Sequence, residues 1–179
     1  MTVTIRAGAP ADAGPLADLA ARTFVATFAA NTHPNDMKVH VAQAYGTAQQ
    51  GRELADSKVS TLLAYVDDGL AGYAQLRREP APSCVTGESP IELWRFYVDG
   101  GWHGLGIAQE LMHAVETDAD RLGAGTLWLG VWEQNERAKA FYRKCGFADA
   151  GSHIFMVGSD AQTDRIMTRS LANNQDSKG

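Results

Sequence analysis

Cysteine is scarce: Cys84 and Cys145 are the only two in 179 residues. Two isolated thiols make no disulfide framework, and both read as reduced, buried or half-buried side chains. Neither has a second Cys or a His at metal-ligand spacing, and His33, His40, His103, His113 and His153 share no such spacing either, so no metal is expected. No stretch approaches the roughly 18 consecutive apolar residues of a spanning helix. Met1 to Arg6 lacks the basic and apolar regions of an export signal, so a cytoplasmic protein with no membrane partner is expected. Positive charge is also short: 16 Lys and Arg against 21 Asp and Glu leave a net charge of −5. Without a broad cationic field, nucleic acid is excluded as a partner. Internal repeats and low-complexity blocks are missing as well.

What the chain does carry is the balance of a globular domain, 45% apolar and 21% charged residues. Its length suits one domain, taken as residues 1–171, with a polar tail over 172–179 expected to fray. Val3 to Arg6 reads as a strand. Leu16, Leu19, Ala20, Thr23, Phe24 and Phe28 recur at helical spacing between Ala11 and Ala29. Shorter helices follow from Asp36 to Tyr45 and from Ala48 to Ala55. Strands at Val59–Val66 and Leu70–Arg77 flank the turn signal Asp67-Asp68-Gly69, and the proline-bearing stretch from Glu79 to Pro90 is a loop. Ile91–Val98 is an apolar strand and Gly104–Leu122 an amphipathic helix. Thr126–Trp132 is apolar on both faces, as a covered central strand is. Asn135–Lys144 is a short helix capped by Asn135 and ended by Gly146. Phe147–Val157 and Asp164–Leu171 are the last strands. A strand–helix–strand unit requires a parallel pair, whereas the hairpins require antiparallel neighbours. The result is a mixed sheet with helices on its faces.

The segment Val98-Asp99-Gly100-Gly101-Trp102-His103-Gly104-Leu105-Gly106-Ile107-Ala108 joins a strand to the long helix. Glycine lets the backbone approach a ligand closely, and the first N–H groups of a helix are unpaired donors suited to phosphate. Two nucleotide loops are excluded. No Gly-Lys-Ser/Thr precedes the helix, and Gln109 fills the third small position of a dinucleotide fingerprint. On this segment alone a plain strand-to-helix connection stays open.

Downstream lies Leu127-Trp128-Leu129-Gly130-Val131-Trp132-Glu133-Gln134-Asn135, followed by the pattern Asn-x-x-Ala-x-x-Phe-Tyr-x-Lys-x-Gly-Phe on Asn135, Ala138, Phe141, Tyr142, Lys144, Gly146 and Phe147. Together with the glycine-rich loop, and in that order, it resembles the GNAT superfamily of N-acetyltransferases. The family's loop reads Gln/Arg-x-x-Gly-x-Gly/Ala. Gly104 and Gly106 match its glycines, while Gly101 stands where Gln or Arg is usual, which removes a side chain and keeps the backbone cradle. The likeness runs over nearly the whole chain. Within the superfamily, Leu93–Val98, Trp128–Glu133 and Phe155–Asp160 are similar to bacterial spermidine/spermine acetyltransferases of the PaiA type.

The resemblance implies an α/β (α+β) fold: a mixed, mostly antiparallel seven-stranded sheet with a parallel central pair and helices on both faces. It implies acetyl-CoA as cosubstrate and direct transfer to a primary amine. Tyr142 matches the general acid near the coenzyme sulfur, and Glu92 the base. The Val98 N–H would polarise the thioester carbonyl. His103, Gly104, Gly106, Ile107 and Ala108 would meet the pyrophosphate through main-chain N–H groups, Asn135 the pantetheine and Lys144 the terminal phosphate. Phe96 and Phe141 join the cofactor-binding set. An alkyl ammonium holds its proton to about pH 10.4, and a carboxylate ordinarily near 4.3 removes it only with burial or a water relay. Strand alternation puts Glu92 on one face with Trp94, Phe96 and Val98. Without the likeness, Ala138, Phe141, Tyr142 and Cys145 are simply the apolar face of a helix. Glu92 is then a strand-end carboxylate with a structural partner, Asn135 a cap, and Lys144 a solvated cation.

The acceptor is expected to be a small amine, a polyamine such as spermidine or spermine first. A protein or peptide amine is the alternative within enzymes, and a non-catalytic CoA-binding regulatory module the alternative outside them. A small amine calls for a closed, acid-lined pocket and a peptide for a long open groove. A homodimer is left open.

Overall fold

In the computed structural model, which describes residues 1–171, seven strands form one sheet. The expected frayed tail lies outside the described residues. The strands are β1 (Val3–Ala7), β2 (Val59–Val66), β3 (Gly69–Arg77), β4 (Pro90–Val98), β5 (Thr126–Trp132), β6 (Ala148–Val157) and β7 (Asp160–Ser170), in the order β1-β2-β3-β4-β5-β7-β6. Every neighbouring pair is antiparallel except the central β4–β5 pair. Helices α1 (Ala13–Phe28), α2 (Pro34–Ala44) and α3 (Thr47–Ala55) lie on one face, α4 (Ile107–Arg121) and α5 (Glu136–Lys144) on the other. This is the mixed, mostly antiparallel architecture expected, with its parallel pair in the middle.

Apolar spacing explains each layer. Leu16, Leu19, Ala20, Phe24 and Phe28 form one stripe of α1 and pack with Leu63, Tyr73 and Trp132 of the sheet. On the opposite face Ile107, Leu111, Met112, Val115 and Ala119 of α4 pack with Leu76, Leu93, Leu127 and Leu129. Each fully buried large aliphatic side chain contributes about 1.5–3 kcal/mol by leaving water. Thr126–Trp132 is buried along its length except at Gly130, as a doubly covered strand requires.

Three local features depart from the sequence reading. Helix α4 starts at Ile107 and not at Gly104, because Gly104 and Gly106 take φ of +80° and +83°, outside the right-handed helical region. Strand β7 starts at Asp160, four residues before the expected Asp164. Gly158, at φ +60°, makes the turn tight, and the Asp36 carboxylate of α2 holds it by accepting the Ser159 N–H at 2.8 Å and its hydroxyl at 2.7 Å.

The third departure changes which residues share a face. Leu93 pairs with Leu76 and Arg95 with Gln75, leaving Trp94 as the extra residue of a β-bulge. The alternation along β4 therefore reverses at Trp94. Glu92 shares its face with Arg95 and Tyr97, toward α1–α3, whereas Phe96 and Val98 point toward α4 and α5. The expectation that Glu92, Phe96 and Val98 share one face is corrected on this point.

Candidate active site

The parallel pairing of β4 with β5 stops early. It joins Pro90, Ile91 and Glu92 to Thr126, Leu127 and Trp128 and goes no further, so the C-terminal halves of both strands diverge. The hydrogen-bond phase shows which groups face the gap. The Asp99 N–H bonds the Ala71 carbonyl at 2.8 Å. In an antiparallel ladder, residues bonded to the partner strand alternate with residues whose N–H and C=O point the other way. Tyr97 and Asp99 thus face β3, and the main chains of Phe96 and Val98 aim across the gap at β5. Across it, Leu171 N–H to Gly125 C=O (2.9 Å) and Glu133 N–H to Thr163 C=O (3.0 Å) set the β5–β7 phase, which turns the main chain of Gly130 toward β4.

The gap opens into a cavity of about 960 Å³. Glu92, Phe96, Val98, His103, Gly104, Gly106, Ile107, Ala108, Asn135, Phe141 and Tyr142 all line it. Lys144 does not; it is exposed at the end of α5. In the loop, the His103 N–H bonds the Gly100 carbonyl at 3.3 Å within a 3-10 turn, so that donor is already engaged. Its ring lies between two partners, Nε2 at 2.7 Å from the Val98 carbonyl and Nδ1 at 2.6 Å from Arg137 Nη1. A carbonyl only accepts and a guanidinium only donates, which assigns the neutral Nε2–H tautomer. His103 therefore ties the end of β4 to α5. No atom lies within 4 Å of a Cβ built on Gly104 or Gly106, so the space before both glycines is open.

Tyr142 is 8% exposed and packs edge-on against Phe96, Phe141 and Phe147, with ring centroids 5.6–6.1 Å apart. Burial, with Cys145 adding to it, pushes its phenol above the ordinary range, so it stays protonated and remains a donor. Asn135 Oδ1 accepts the Ala138 N–H at 3.1 Å and caps α5. Glu92, 7% exposed, sits where the two strands still pair, and Arg77 Nε donates to its Oε2 at 2.5 Å. The guanidinium of Arg77 also lies 3.9 Å from the ring centroid of Trp94, and that of Arg95 lies 3.7 Å from it. Arg95 Nη1 in turn donates to Glu53 Oε2 at 2.6 Å and to Gln75 Oε1 at 2.8 Å.

On the far side of the gap, α1, α2, β6 and β7 contribute residues the sequence reading did not single out, Phe24, Phe28, His40, Phe155 and Asp164, and β4 adds Tyr97. Asp164 is 8% exposed, its Oδ1 has no hydrogen-bond partner, and burial pushes its carboxyl up to about 7. Tyr97, half-buried, interacts electrostatically with both Tyr142 and Asp164. An aspartate beside a turn reads as a strand start, and only the strand order brings it to the cavity. Among the described residues, no group of three or more His, Cys, Asp and Glu side chains is placed to hold a metal ion, and no helix is long and apolar enough to cross a membrane.

Residues 23–147 match the sequence profile of the Acetyltransferase (GNAT) family. An uncharacterized N-acetyltransferase of Mycobacterium tuberculosis (strain ATCC 25618 / H37Rv) is 35% identical over 160 residues, which is 89% of this chain and 98% of the relative. Another, encoded in the pepI 3' region of Lactobacillus delbrueckii subsp. lactis, is 30% identical over 83% of this chain and 86% of its own. The crystal structure of the PaiA N-acetyltransferase of Thermoplasma acidophilum in complex with coenzyme A shares the fold, with a TM-score of 0.80 at 22% identity over 95% of this chain and 99% of that one. This chain belongs to the GNAT acetyltransferase family, and it is an acyltransferase.

Proposed function

We propose that this protein transfers the acetyl group of acetyl-CoA directly to a primary amine bound in the same cavity. The carrying observation is the gap between β4 and β5, lined by main-chain donors and acceptors that no strand satisfies. A ligand with amides of its own can take the place of the missing strand pairing. The open space before Gly104 and Gly106, at the N-terminus of α4, suits a pyrophosphate held by the N–H groups of Gly106, Ile107 and Ala108. Acetyl-CoA supplies the activated acetyl thioester.

The chain's own groups supply the rest. The Val98 N–H, aimed into the gap, donates to the carbonyl oxygen as negative charge grows there, and His103 keeps the end of that strand in place. Phe96 and Phe141 wall off water. Asn135, at the start of α5, is in reach of the pantetheine stem. Tyr142, a phenol throughout the working pH range, donates to the departing sulfur. In this reading Glu92 acts through Arg77 and Trp94, keeping that wall of the cavity fixed, since its carboxylate is already paired. The PaiA-like stretches make spermidine and spermine acceptors to assay alongside monoamines and peptide N-termini. A reduced, cytoplasmic setting suits the two free thiols, Cys84 and Cys145.

Thiol release from acetyl-CoA, followed across a panel of amines, tests the reading. Release that depends on an amine is expected. Coenzyme binding with no release for any amine would favour a non-catalytic binding module. Gly106→Val is expected to weaken acetyl-CoA binding by at least about tenfold, since a branched side chain at a left-handed position costs roughly 1–2 kcal/mol and fills the cradle. Calorimetric titration checks it, and an unchanged affinity would remove the loop from the binding site.

A further inference from the structure

The chamber between α1–α2 and β6–β7 lies across the gap from Tyr142, and its walls are rings. Phe24 and Phe28 stack with centroids 4.4 Å apart, His40 lies 4.5 Å from Phe24, and Trp132 is 5.1 Å from Phe28. Phe155 closes the group, 5.6 Å from His40 and 6.3 Å from Phe28. One carboxylate projects into this apolar space. Asp164 lies over Gly130, where a Cβ would come within 3.0 Å of its Oδ2. Glycine at 130 is therefore what leaves room for that side chain.

The other charged groups lining the cavity have partners: Glu92 with Arg77, Arg95 with Glu53, Asp99 with Arg22, and Arg137 with His103. Asp164 has no ion pair among the described residues, and its Oδ1 is buried without a hydrogen bond. The titratable groups beside it are His153, its cross-strand neighbour on β6, and Tyr97 from β4, while His40 from α2 lines the same cavity. Strand β5 contributes Gly130, Val131 and Trp132 to the lining, none of them titratable, and α1 contributes apolar and threonine side chains. An uncompensated buried carboxylate is costly, and a bound cation relieves that cost.

We propose that Asp164 anchors the acceptor's ammonium group and takes the proton it must lose, and that the acceptor is accordingly a monoamine with an apolar or aromatic body seated among these rings. The proposal rests on the acetyltransferase reading and narrows its substrate class. One N–H bond of the ammonium breaks and the proton passes to Asp164, leaving a lone pair on nitrogen to form the bond to the acetyl carbon. The C–S bond breaks as that bond forms. The second proton lost by nitrogen restores the one Tyr142 gives to sulfur, so the products are the acetamide, the free thiol and one proton released from Asp164. A polyamine would bring further cations into a chamber with no second unpaired carboxylate.

Phenethylamine and spermidine serve as probes, with Asp164→Asn as the variant because it keeps the side chain's size. Phenethylamine is expected to bind the wild type in calorimetry and Asp164→Asn at least about tenfold more weakly, a difference that needs no turnover. Its kcat/KM should exceed that of spermidine and fall by about 10²-fold in Asp164→Asn, with acetyl-CoA affinity unchanged. In the wild type kcat/KM rises with pH to about 7, as Asp164 ionises, and then levels. In the variant it should keep rising toward about pH 10, because only amine already neutral in solution reacts. Equal binding of phenethylamine to both proteins, a wild-type pH profile in the variant, or a preference for spermidine would each overturn the proposal. A wild type that binds phenethylamine and never releases thiol would defeat the acetyltransferase reading and leave the anchor standing.

Discussion

Replacing Tyr142 by Phe is expected to lower kcat by about 10²-fold while the affinity for acetyl-CoA stays as it was. The hydroxyl is the one polar atom of a ring otherwise held by Phe96, Phe141 and Phe147, so its removal leaves the packing of α5 intact. Burial holds the phenol protonated, which rules it out as a base and suits it to hydrogen-bond a sulfur that gains charge as the C–S bond breaks. That interaction is stronger in the transition state than in the bound thioester, so its loss belongs in kcat and not in ground-state binding. Single-turnover rates together with calorimetric titration check both halves. An unchanged kcat would remove Tyr142 from the chemistry. A loss of coenzyme affinity with kcat preserved would make it a binding residue.

Glu53→Ala is expected to destabilise the fold by about 3–5 kcal/mol, the loss typical when one partner of a buried ion pair is removed. Glu53, Gln75 and Arg95 are all buried, and Arg95 reaches Glu53 Oε2 at 2.6 Å. Without that carboxylate a guanidinium remains in the interior with only the Gln75 carbonyl and the faces of Trp94 and Tyr45. Those rings line the cavity, so damage should spread from α3 to it. Urea unfolding measures the first effect, as a lower midpoint at an unchanged slope. Replacing Arg95 by Met together with Glu53→Ala should recover much of the loss, because the uncompensated charge is then gone. A single variant as stable as the wild type would mean that water already satisfies Arg95.

One wall of the cavity was legible because its parts are contiguous. The glycines at 104 and 106, the Asn135 cap and the Phe141-Tyr142 pair lie within two short stretches, and helical spacing alone directs Tyr142 toward the sheet. The opposite wall was not legible in this way. Asp164, Tyr97, Phe28 and His40 come from four elements, and nothing in their local sequence relates one to another. Glu92 shows a subtler failure: regular alternation assigned it to the face of Val98, and one extra residue at Trp94 moved it to the other side. Bulges arise from pairing with a neighbouring strand, which a single strand's pattern does not record.

By itself, the amino-acid sequence determined the layers of the fold, the parallel central pair, the coenzyme-type loop and the family resemblance. Apolar periodicity, caps and glycine positions act over a few residues and need no knowledge of distant partners. Only the tertiary structure decided where β4 and β5 part, which face Glu92 occupies, and that a lone carboxylate waits among aromatic rings. Those outcomes depend on register and strand order, which are set by contacts between residues far apart in the chain.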